Sequence, residues 1–398
     1  MISSQDLYSY KEECCGCELC ALACNHNVIS MQPDSNGFLY PQIDNPAACV
    51  NCRRCVNLCP IKHSSRSSRQ FLHGFGGSAT FDSDVRKSAS GGLSYSIGRK
   101  FIEKGGIVYG VEYTDDCRLV KFSRAVDLIE LERFRTSKYV QARKYDIYQN
   151  VKEDLRMGAK VLFVGLSCEV SALYNFLSKE YEGLYTIALM CHGTTSPRVH
   201  REFCDALQEE YQSKIQSFSV RHKIDGWKPY YIKANFTNGR TYIEQFVKTD
   251  YEIAFKYLKR PSCYSCKFKL RNQNFGFKAD LIIGDFHGAR PTDAFFNKWG
   301  ASRFYSTSDK GLDLIESVKE VFCYYPISLK NLYNSSPVLN YPTQKLLFSS
   351  YYANLFSKHN LHKASSNLLI KVMYKYYQPI SKKYHECVKR ISARLKKI

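Results

Sequence analysis

The chain has 398 residues, of which 44% are hydrophobic and 14% aromatic, so it is long enough for two domains and a substantial buried core. Its 17 cysteines are therefore not needed as disulfide staples. The formal net charge is +20, but no recognised DNA- or RNA-binding motif accompanies it, so we expect no specific nucleic acid partner.

The N-terminus, MISSQDLYSYKEECC, contains no apolar segment of the kind found in signal peptides. No later window offers about eighteen uninterrupted apolar residues, the length that a membrane span needs. We therefore expect a cytoplasmic protein. In that reducing compartment, clustered cysteines are expected to be metal ligands or redox groups rather than disulfide partners.

The first predicted domain, residues 1–65, contains two copies of the spacing CxxCxxCxxxC, the second followed directly by Pro60. In bacterial two-cluster ferredoxins with this spacing, the fourth cysteine of each run binds the cluster of the other run. The spacing predicts two 4Fe-4S clusters, one bound by Cys14, Cys17, Cys20 and Cys59 and the other by Cys24, Cys49, Cys52 and Cys55. The alternative is zinc, which prefers two separated CxxC pairs. Cys15 falls outside the pattern and is predicted to be a bystander.

Residues 28–44, between the two runs, are predicted to form a strand, a turn at Asn36 and Gly37, and a second strand. Asn25 stands where the first run would normally carry a proline, which shapes a turn and is not a ligand. These features predict an α+β, ferredoxin-like dicluster module.

The polar stretch after Pro60 predicts a linker over residues 66–85, after which apolar strands alternate with helical segments. Strands are predicted at 105–113, 160–165, 184–190 and 279–286, and helices at 91–105, 168–179 and 196–214. A β-hairpin is predicted at 230–246, with its turn at Asn238 and Gly239. This alternation predicts an α/β domain over residues 86–330.

Four further cysteines lie at predicted strand ends or in a tight pair. Cys168 and Cys191 each follow an apolar strand, and Cys263 and Cys266 form a CxxC. Because ligands gather beyond the carboxyl ends of strands in open α/β sheets, these four are candidates for a third cluster. The alternative is that they are ordinary buried cysteines. Cys117, Cys204, Cys323 and Cys387 have no partners in sequence and are predicted to be structural.

From Lys87 to Gly288 the chain resembles the coenzyme F420 hydrogenase/dehydrogenase beta subunits. Six blocks carry the resemblance, in the family's order: SASGGL, TSKYVQA, LFVGLSCEVSAL, MCHGTTSP, RPSCYSCKF and ADLIIGDFHG. The resemblance implies a flavin-dependent oxidoreductase, with FAD bound in the α/β domain and electrons passing between iron–sulfur clusters and an organic substrate.

The resemblance also implies site residues. The third-cluster ligands would be Cys168, Cys191, Cys263 and Cys266, and the flavin would lie at Ser90, Gly91, Gly92, Ser137, Lys138, Tyr139, Gly284, Asp285 and Gly288. Lys138 is the candidate for pairing with a phosphate or a reduced flavin ring, and His192 is the candidate proton donor. The alternatives are a solvated surface lysine and a histidine that makes only local hydrogen bonds.

The chain departs from the family pattern around the strand-end cysteine, where Leu166, Ser167 and Glu169 replace the usual residues, and at His287, where tryptophan is usual. We expect the Glu169 carboxylate to add negative charge beside the cluster or flavin and to lower its potential. The substrate, and whether a deazaflavin is used, stay open. Because bacterial relatives of this layout frequently occur among genes for surface polysaccharide synthesis, a sugar or sugar-linked intermediate is one hypothesis.

A basic, mostly helical tail is predicted over residues 331–398. Between Lys363 and Ile398 it contains ten Lys/Arg and one acidic residue, Glu386. Apolar and basic residues alternate at helical spacing, which suits an anionic membrane surface at the inner face of the membrane. The alternatives are a helix packed on the body with a solvated basic face, or docking of an acidic electron donor such as ferredoxin.

Two functions remain open on the sequence. The first is an enzyme that passes electrons from a ferredoxin-like donor or a reduced deazaflavin through 4Fe-4S clusters to FAD and on to an organic substrate. The second is a non-catalytic electron-transfer subunit that serves a partner enzyme.

Overall fold

The structure is a computed structural model that describes residues 3–63, 69–270, 272, 276–329 and 336–377. Residues 3–63 form the N-terminal module, in which a two-stranded antiparallel sheet is flanked by short helices. Its elements are α1 (Ser4–Leu7), α2 (Leu19–Leu22), β1 (Ile29–Pro33), β2 (Leu39–Ile43) and α3 (Arg54–Asn57), with 3-10 turns at Lys11–Glu13 and Pro46–Ala48. The strands pair through a turn in which Gly37 has a φ of +81°, so the predicted strand–turn–strand segment is confirmed.

An eight-stranded mixed sheet forms the centre of the molecule. Its strands are β3 (His73–Ala79), β4 (Ile107–Tyr113), β5 (Val120–Ala125), β6 (Val161–Leu166), β7 (Leu184–Leu189), β11 (Leu281–Asp285), β12 (Ser302–Ser306) and β13 (Phe322–Pro326). They lie in the order β13-β3-β12-β11-β7-β6-β4-β5. The neighbours β11, β7, β6 and β4 are parallel, and these are the four strands that the sequence predicted. Their carboxyl ends therefore meet at one edge.

Helices cover both faces of this sheet, as parallel strands require. They are α4 (Asp82–Arg86), α5 (Leu93–Glu103), α6 (Leu128–Glu132), α7 (Ile147–Arg156), α8 (Ser167–Leu177) and α12 (Asp309–Glu316). One core packs α7 and α8 against alternate strand residues such as Tyr109 and Phe163. The other packs α5, α6 and α12 against the intervening ones, such as Val108 and Leu162. Because side chains alternate across a strand, both cores use the same strands.

The predicted linker over 66–85 is wrong for residues 73–79, which form β3 between β12 and β13. The strand has the sequence HGFGGSA, and its three glycines replace the apolar residues by which a buried strand is usually recognised. Aromatic rings fill the space beside them: a Cβ built on Gly76 would lie 2.6 Å from the ring of Phe295.

A second, separate sheet has three strands in the order β10-β9-β8. It consists of β8 (Ile215–Lys223), β9 (Tyr230–Phe236) and β10 (Thr241–Gln245), and the antiparallel pairing of β9 with β10 confirms the predicted hairpin. The helices near it in sequence are α9 (Pro197–Tyr211), α10 (Asp250–Tyr257) and α11 (Pro261–Tyr264), with a 3-10 turn at Phe246–Lys248. The predicted helices of the α/β domain are confirmed as α5, α8 and α9.

The described part of the predicted tail is a packed part of the body. It contains α13 (Pro337–Asn340), α14 (Ser349–Lys358), α15 (Leu361–Ser365), α16 (Leu368–Val372) and a π-helix at Met373–Tyr377. Tyr352, Phe356 and Ile370 are buried in one core with β8, β9, α9 and α10. Residues 378–398, which carry most of the predicted basic charge, lie outside the described residues. None of the helices in the described ranges combines the length and the apolar composition needed to cross a bilayer.

Candidate functional site

Cysteines from both runs of the N-terminal module come together at its surface. A cavity of about 390 Å³ is lined by Cys24, Cys49, Cys52 and Cys55, together with apolar residues such as Val28 and Ile43. The Val28 N–H lies 3.4 Å from Cys24 Sγ, and hydrogen bonds of this kind tune cluster ligands. The fourth cysteine of the first run thus joins the first three of the second, which is the crossed arrangement that the spacing predicts. We call these four cysteines the outer set.

The other four cysteines of the module, Cys14, Cys17, Cys20 and Cys59, form the inner set. Burial raises the pKa of the Cys20 thiol well above its ordinary value, and the nearby Cys14 and Cys59 raise it further. Cys59 likewise interacts with Cys14. The side of the module that carries this set faces the body, since Cys17 belongs to the core that covers α7 and α8.

Buried hydrogen bonds fasten the inner set to the body. Arg260, which is 1% exposed, donates to Cys14 O at 2.7 Å, to Cys14 Sγ at 3.3 Å and to Leu39 O at 2.9 Å. It also donates to Gln141 Oε1 at 2.8 Å, and Gln141 in turn donates to Gly16 O at 2.8 Å. Arg260 directly precedes α11, so one residue links a ligand of the inner set to the helix that carries Cys263.

The third candidate site lies where β6 and β7 end. A cavity of about 700 Å³ there is lined by Cys168, Cys191, Cys263 and Cys266. Cys168 is in the first turn of α8, directly after β6, and Cys191 follows β7 by two residues. Gly193 approaches closely, donating from its N–H to Cys191 Sγ at 3.2 Å. The predicted third set of cysteines is thus brought together, and the cavity contains a fifth, Cys15.

Three lysines, Lys144, Lys267 and Lys269, also line the cavity. Lys269 donates to Cys191 O at 2.9 Å. Such cations suit a group held by four thiolates, whose negative charge they offset. Burial raises the pKa of both Cys191 and Cys266 to about 12, so binding an iron–sulfur cluster here must displace the thiol protons.

Glu169 does not contribute an unpaired charge. Its carboxylate lies 2.8 Å from Lys144 Nζ and also accepts from the Leu166 N–H at 2.8 Å. Burial lowers the pKa of Lys144, but Glu169 and Glu18 outweigh it and raise the pKa above its ordinary value. The expectation that Glu169 adds net negative charge is therefore corrected: the carboxylate is neutralised by an ion pair.

Within the described ranges, no three Cys, His, Asp or Glu side chains lie close enough together to hold a single metal ion. A 4Fe-4S cubane is a larger body and separates its four cysteine sulfurs more widely than one ion does. The outer set and the third set each line one cavity. The inner set is defined by the electrostatic contacts among its cysteines.

A buried cationic site lies beside the turn at the start of α5. Arg221, on β8, donates to Tyr139 Oη at 2.7 Å, to Asp285 Oδ2 at 3.1 Å and to Ala89 O at 2.7 Å. Lys223, two residues along the same strand, donates to Ser90 O at 3.1 Å. The structure thus brings together Ser90, Tyr139 and Asp285 of the predicted flavin residues, around two cations that the sequence did not reveal.

This site retains unused donors. Among the described residues, the buried Nε of Arg221 has no hydrogen-bond partner. Gly92, with a φ of +92°, directly precedes α5 and provides no side-chain cap, so the first amides of this helix have no capping side chain. Burial and the nearby Arg221 lower the pKa of Lys223 to about 7. An anionic group such as a pyrophosphate fits these donors.

The two predicted catalytic residues are Lys138, which is also a flavin candidate, and His192. Lys138 Nζ donates to Arg133 O at 3.0 Å and to Arg135 O at 2.7 Å, and burial lowers its pKa to about 7. His192 is exposed, while desolvation and the nearby Lys259 and Lys269 lower its pKa, so its imidazole is neutral near pH 7. Their catalytic roles stay predictions.

The remaining predicted flavin residues differ in how deeply they are buried. Gly284 packs on Met190, where a Cβ would lie 2.2 Å from the sulfur. Ser137 is partly buried and Gly288 is exposed. His287, in the position where the family has tryptophan, packs against the ring of Trp227 with centroids 4.8 Å apart.

Sequence reasoning missed four residues of these sites: Cys15, Arg221, Lys223 and Arg260. Arg221 and Lys223 are two apart on a strand, so they lie on one face, a signal that becomes visible once β8 is recognised. Arg260 directly precedes the CxxC segment. Cys15 does not fit the ferredoxin spacing, and only the fold places it in the cavity with Cys168.

Gly91 packs so closely that its replacement should destabilise the fold. A Cβ there would lie 2.6 Å from Gly77 O and 2.7 Å from Ser302 N. We expect Gly91→Ala to lower the free energy of unfolding by about 1–3 kcal/mol, since backbone atoms cannot easily yield. The control is Gly226→Ala, whose new methyl would meet only Lys298 O at 3.4 Å. Similar denaturant midpoints for both variants would contradict this account.

Comparison with known proteins agrees with the resemblance noted from the sequence. Residues 158–324 match the family model for the C terminus of the coenzyme F420 hydrogenase/dehydrogenase beta chain, and residues 13–62 match that for a 4Fe-4S dicluster domain. A chain of the F420-reducing [NiFe] hydrogenase complex from Methanosarcina barkeri, solved as a xenon derivative, is 15% identical, with a TM-score of 0.44. That match covers 78% of this chain and 95% of the other. No curated protein matches the chain.

Proposed function

Because this chain is an iron–sulfur electron-transfer protein related to the coenzyme F420 hydrogenase beta subunits, we propose that it is an FAD-dependent oxidoreductase acting on an organic substrate. A 4Fe-4S cluster supplies one-electron transfer, and a flavin converts such delivery into two-electron chemistry. The observation that carries the proposal is the cavity that gathers Cys168, Cys191, Cys263 and Cys266, at the same end of the parallel strands as Asp285 of the cationic site.

The two sites lie at one edge of the sheet, because Leu189 pairs with Ile283 and Cys191 and Asp285 each follow two residues later. His192 directly follows Cys191, and both Lys269 of the cysteine cavity and Asp285 of the cationic site influence its pKa. A flavin in the cationic site would lie beside the third set of cysteines. Arg221 and Lys223 would hold its pyrophosphate, with the amides at the start of α5.

The exposure of the outer set supports electron delivery from another protein. Cys52 is exposed, and the neighbouring Val50 is 60% exposed. Arg53 and Arg54 are exposed beside it and provide positive charge. An acidic donor such as a ferredoxin matches this surface, since complementary charge speeds encounter. A reduced deazaflavin remains the other proposed donor.

The substrate is proposed from the resemblance alone, as a sugar or polysaccharide-biosynthesis intermediate. The proposed location is the cytoplasm, with the basic residues 378–398 at the inner face of the membrane. The distribution of the chain between cytosol and washed membranes would test the location.

Anaerobic purification followed by iron, sulfide and flavin quantitation tests the cofactor content. We expect about twelve irons and one FAD per chain, since three four-cysteine sets each hold a cubane. About eight irons without flavin would overturn the proposal. If the cofactor content is as expected, turnover of a substrate by the isolated chain distinguishes an enzyme from a non-catalytic electron-transfer subunit.

The alternative is a non-catalytic electron-transfer subunit that serves a partner enzyme. The observation in its favour is the placement of Lys138, whose ammonium is occupied by backbone carbonyls. Activity that appears only after a co-purified partner is added back would support this alternative.

Binding of an anionic cofactor should depend on pH through Lys223. Its lowered pKa of about 7 means that the ammonium is lost as the pH rises through 7, while Arg221 stays charged because Tyr139 and Asp285 outweigh its burial. We expect the affinity of the flavin-depleted protein for FAD to fall by up to about tenfold per pH unit above pH 7. Calorimetric titration between pH 6 and pH 9 measures this, with proton uptake at the higher pH values. Lys223→Met should bind more weakly with a flatter profile, and an unchanged slope in that variant would refute the assignment.

A further inference from the structure

The last described helical segment exposes aliphatic side chains on one side. α16 and the π-helix that continues it run over residues 368–377. Ile370 faces the body and is completely buried in the core that contains β8, β9 and α10. By contrast, Leu368 is 77% exposed, Leu369 is 40% exposed and Val372 is 43% exposed. Because residues three and four apart lie on one face of a helix, these three form an exposed apolar ridge.

The body exposes a further aliphatic residue beside this helix. Tyr374 Oη donates to Val247 O at 3.0 Å, which brings the 3-10 turn at Phe246–Lys248 next to the helical segment. Val247 is 50% exposed, and Lys248 is exposed as well. Single exposed aliphatic residues are ordinary in folded proteins, whereas several on one helix face mark an interaction surface.

Positive charge surrounds the apolar ridge. Lys371 and Lys375 are exposed on the same helical segment. A carboxylate beside the segment, that of Glu252, accepts from Tyr374 but is paired with Lys256 at 3.0 Å, so it does not offset these charges. Residues 378–398, which follow in sequence, contain seven Lys/Arg and one acidic residue. Aliphatic side chains flanked by lysines are the pattern of a helix that lies in the interface of an anionic membrane.

We propose that the apolar ridge of α16 inserts into the surface of an anionic membrane, with Lys371 and Lys375 at the level of the lipid headgroups. A second copy of the chain is a poorer occupant, because the net charge of +20 would bring like charges together. Burial of the ridge holds the helix, while the lysines select negatively charged lipid. This surface rests on the proposed location at the membrane but requires neither FAD nor a third cluster. Vesicle binding and cofactor content can therefore fail independently of each other.

Flotation of the full chain with lipid vesicles tests this surface. The vesicles consist of phosphatidylcholine alone or with about 30% phosphatidylglycerol, which supplies the negative charge. We expect the wild type to bind only the anionic vesicles and to be released as the salt concentration rises, because salt screens the lysines. The double variant Leu368→Ser/Val372→Ser should bind about tenfold more weakly or worse, since it removes two aliphatic side chains from the membrane.

The matched control is Ile129→Ser, which removes an aliphatic side chain that is 81% exposed on α6 and should bind vesicles like the wild type. Lys371→Gln/Lys375→Gln should weaken binding and reduce its dependence on salt. Leu368→Trp reports insertion directly, because brominated lipid should quench the new indole beyond the signal of the two native tryptophans. Ile129→Trp should not be quenched.

Equal vesicle binding by the wild type and Leu368→Ser/Val372→Ser would overturn the inference, as would a wild type that does not bind anionic vesicles. The same double variant identifies the other occupants of the ridge. A dimeric wild type that becomes monomeric in this variant would assign the ridge to a second copy. A variant that unfolds at lower denaturant concentration but binds vesicles like the wild type would assign the ridge to residues 378–398 of the chain itself.

Discussion

Replacing Cys263 with serine is expected to remove about four of about twelve irons per chain and to leave the two N-terminal clusters in place. Cys263 lies in the cavity with Cys168, Cys191 and Cys266, whereas the inner and outer sets are built entirely from the first 59 residues. A serine hydroxyl is a poor substitute for a thiolate as an iron ligand, so the third site alone should be lost.

The matched controls are Cys204→Ser and Cys323→Ser. Cys204 is fully buried and hydrogen-bonded to Cys117 O, so it measures what a buried thiol-to-hydroxyl change does to folding. Cys323 is exposed. Both controls should retain the wild-type iron and sulfide content. If Cys263→Ser also retains it, the cavity at β6 and β7 does not hold a cluster.

Removing the guanidinium of Arg260 should have the largest effect on stability. Arg260→Leu leaves Cys14 O, Leu39 O and Gln141 Oε1 without the donor that they share in a buried interface. We expect a loss of about 3–5 kcal/mol, because buried polar groups are left without partners. Denaturant unfolding measures the loss, and limited proteolysis between residues 60 and 70 should become faster as the N-terminal module detaches.

Arg260→Lys keeps the charge but lacks the planar fork that reaches several acceptors, so it should recover only part of the lost stability. The surface control is Arg290→Leu, whose side chain is 77% exposed and which should change stability by less than about 0.5 kcal/mol. Equal effects at the two arginines would show that Arg260 does not hold the module on the body.

The sequence predicted the parts of the fold that carry a local signal. The strands β4, β6, β7 and β11 are buried on both faces, and continuous apolar runs such as KVLFVG reveal them. By contrast, β3 is rich in glycine, and β8 interleaves polar residues with Phe218 and Val220. Neither pattern indicates a strand until its neighbours are known.

The same division applies to the sites. Spacing alone suggested the eight cysteines of the module, because the ferredoxin run encodes its ligands in sequence. The sequence predicted only part of the cationic site. Arg221 and Lys223 were missed because they reach it from the second sheet. Cys15 illustrates the limit most clearly: it falls outside the ferredoxin spacing, and only the fold brings it into the cavity with Cys168, more than 150 residues away.

The core shared by the N-terminal module and the last helices has a consequence for biosynthesis. Arg198 donates both to Ser35 O of the module, at 2.7 Å, and to Phe356 O of α14, at 2.8 Å, and Tyr40 and Tyr352 lie in the same core. More than 300 residues separate those two tyrosines. At ribosomal speeds of about 5–20 residues per second, the cysteines of the module emerge roughly 15–60 s before this core is complete. The inner set therefore emerges from the ribosome, and is open to iron–sulfur loading, before the C-terminal helices pack into this shared core.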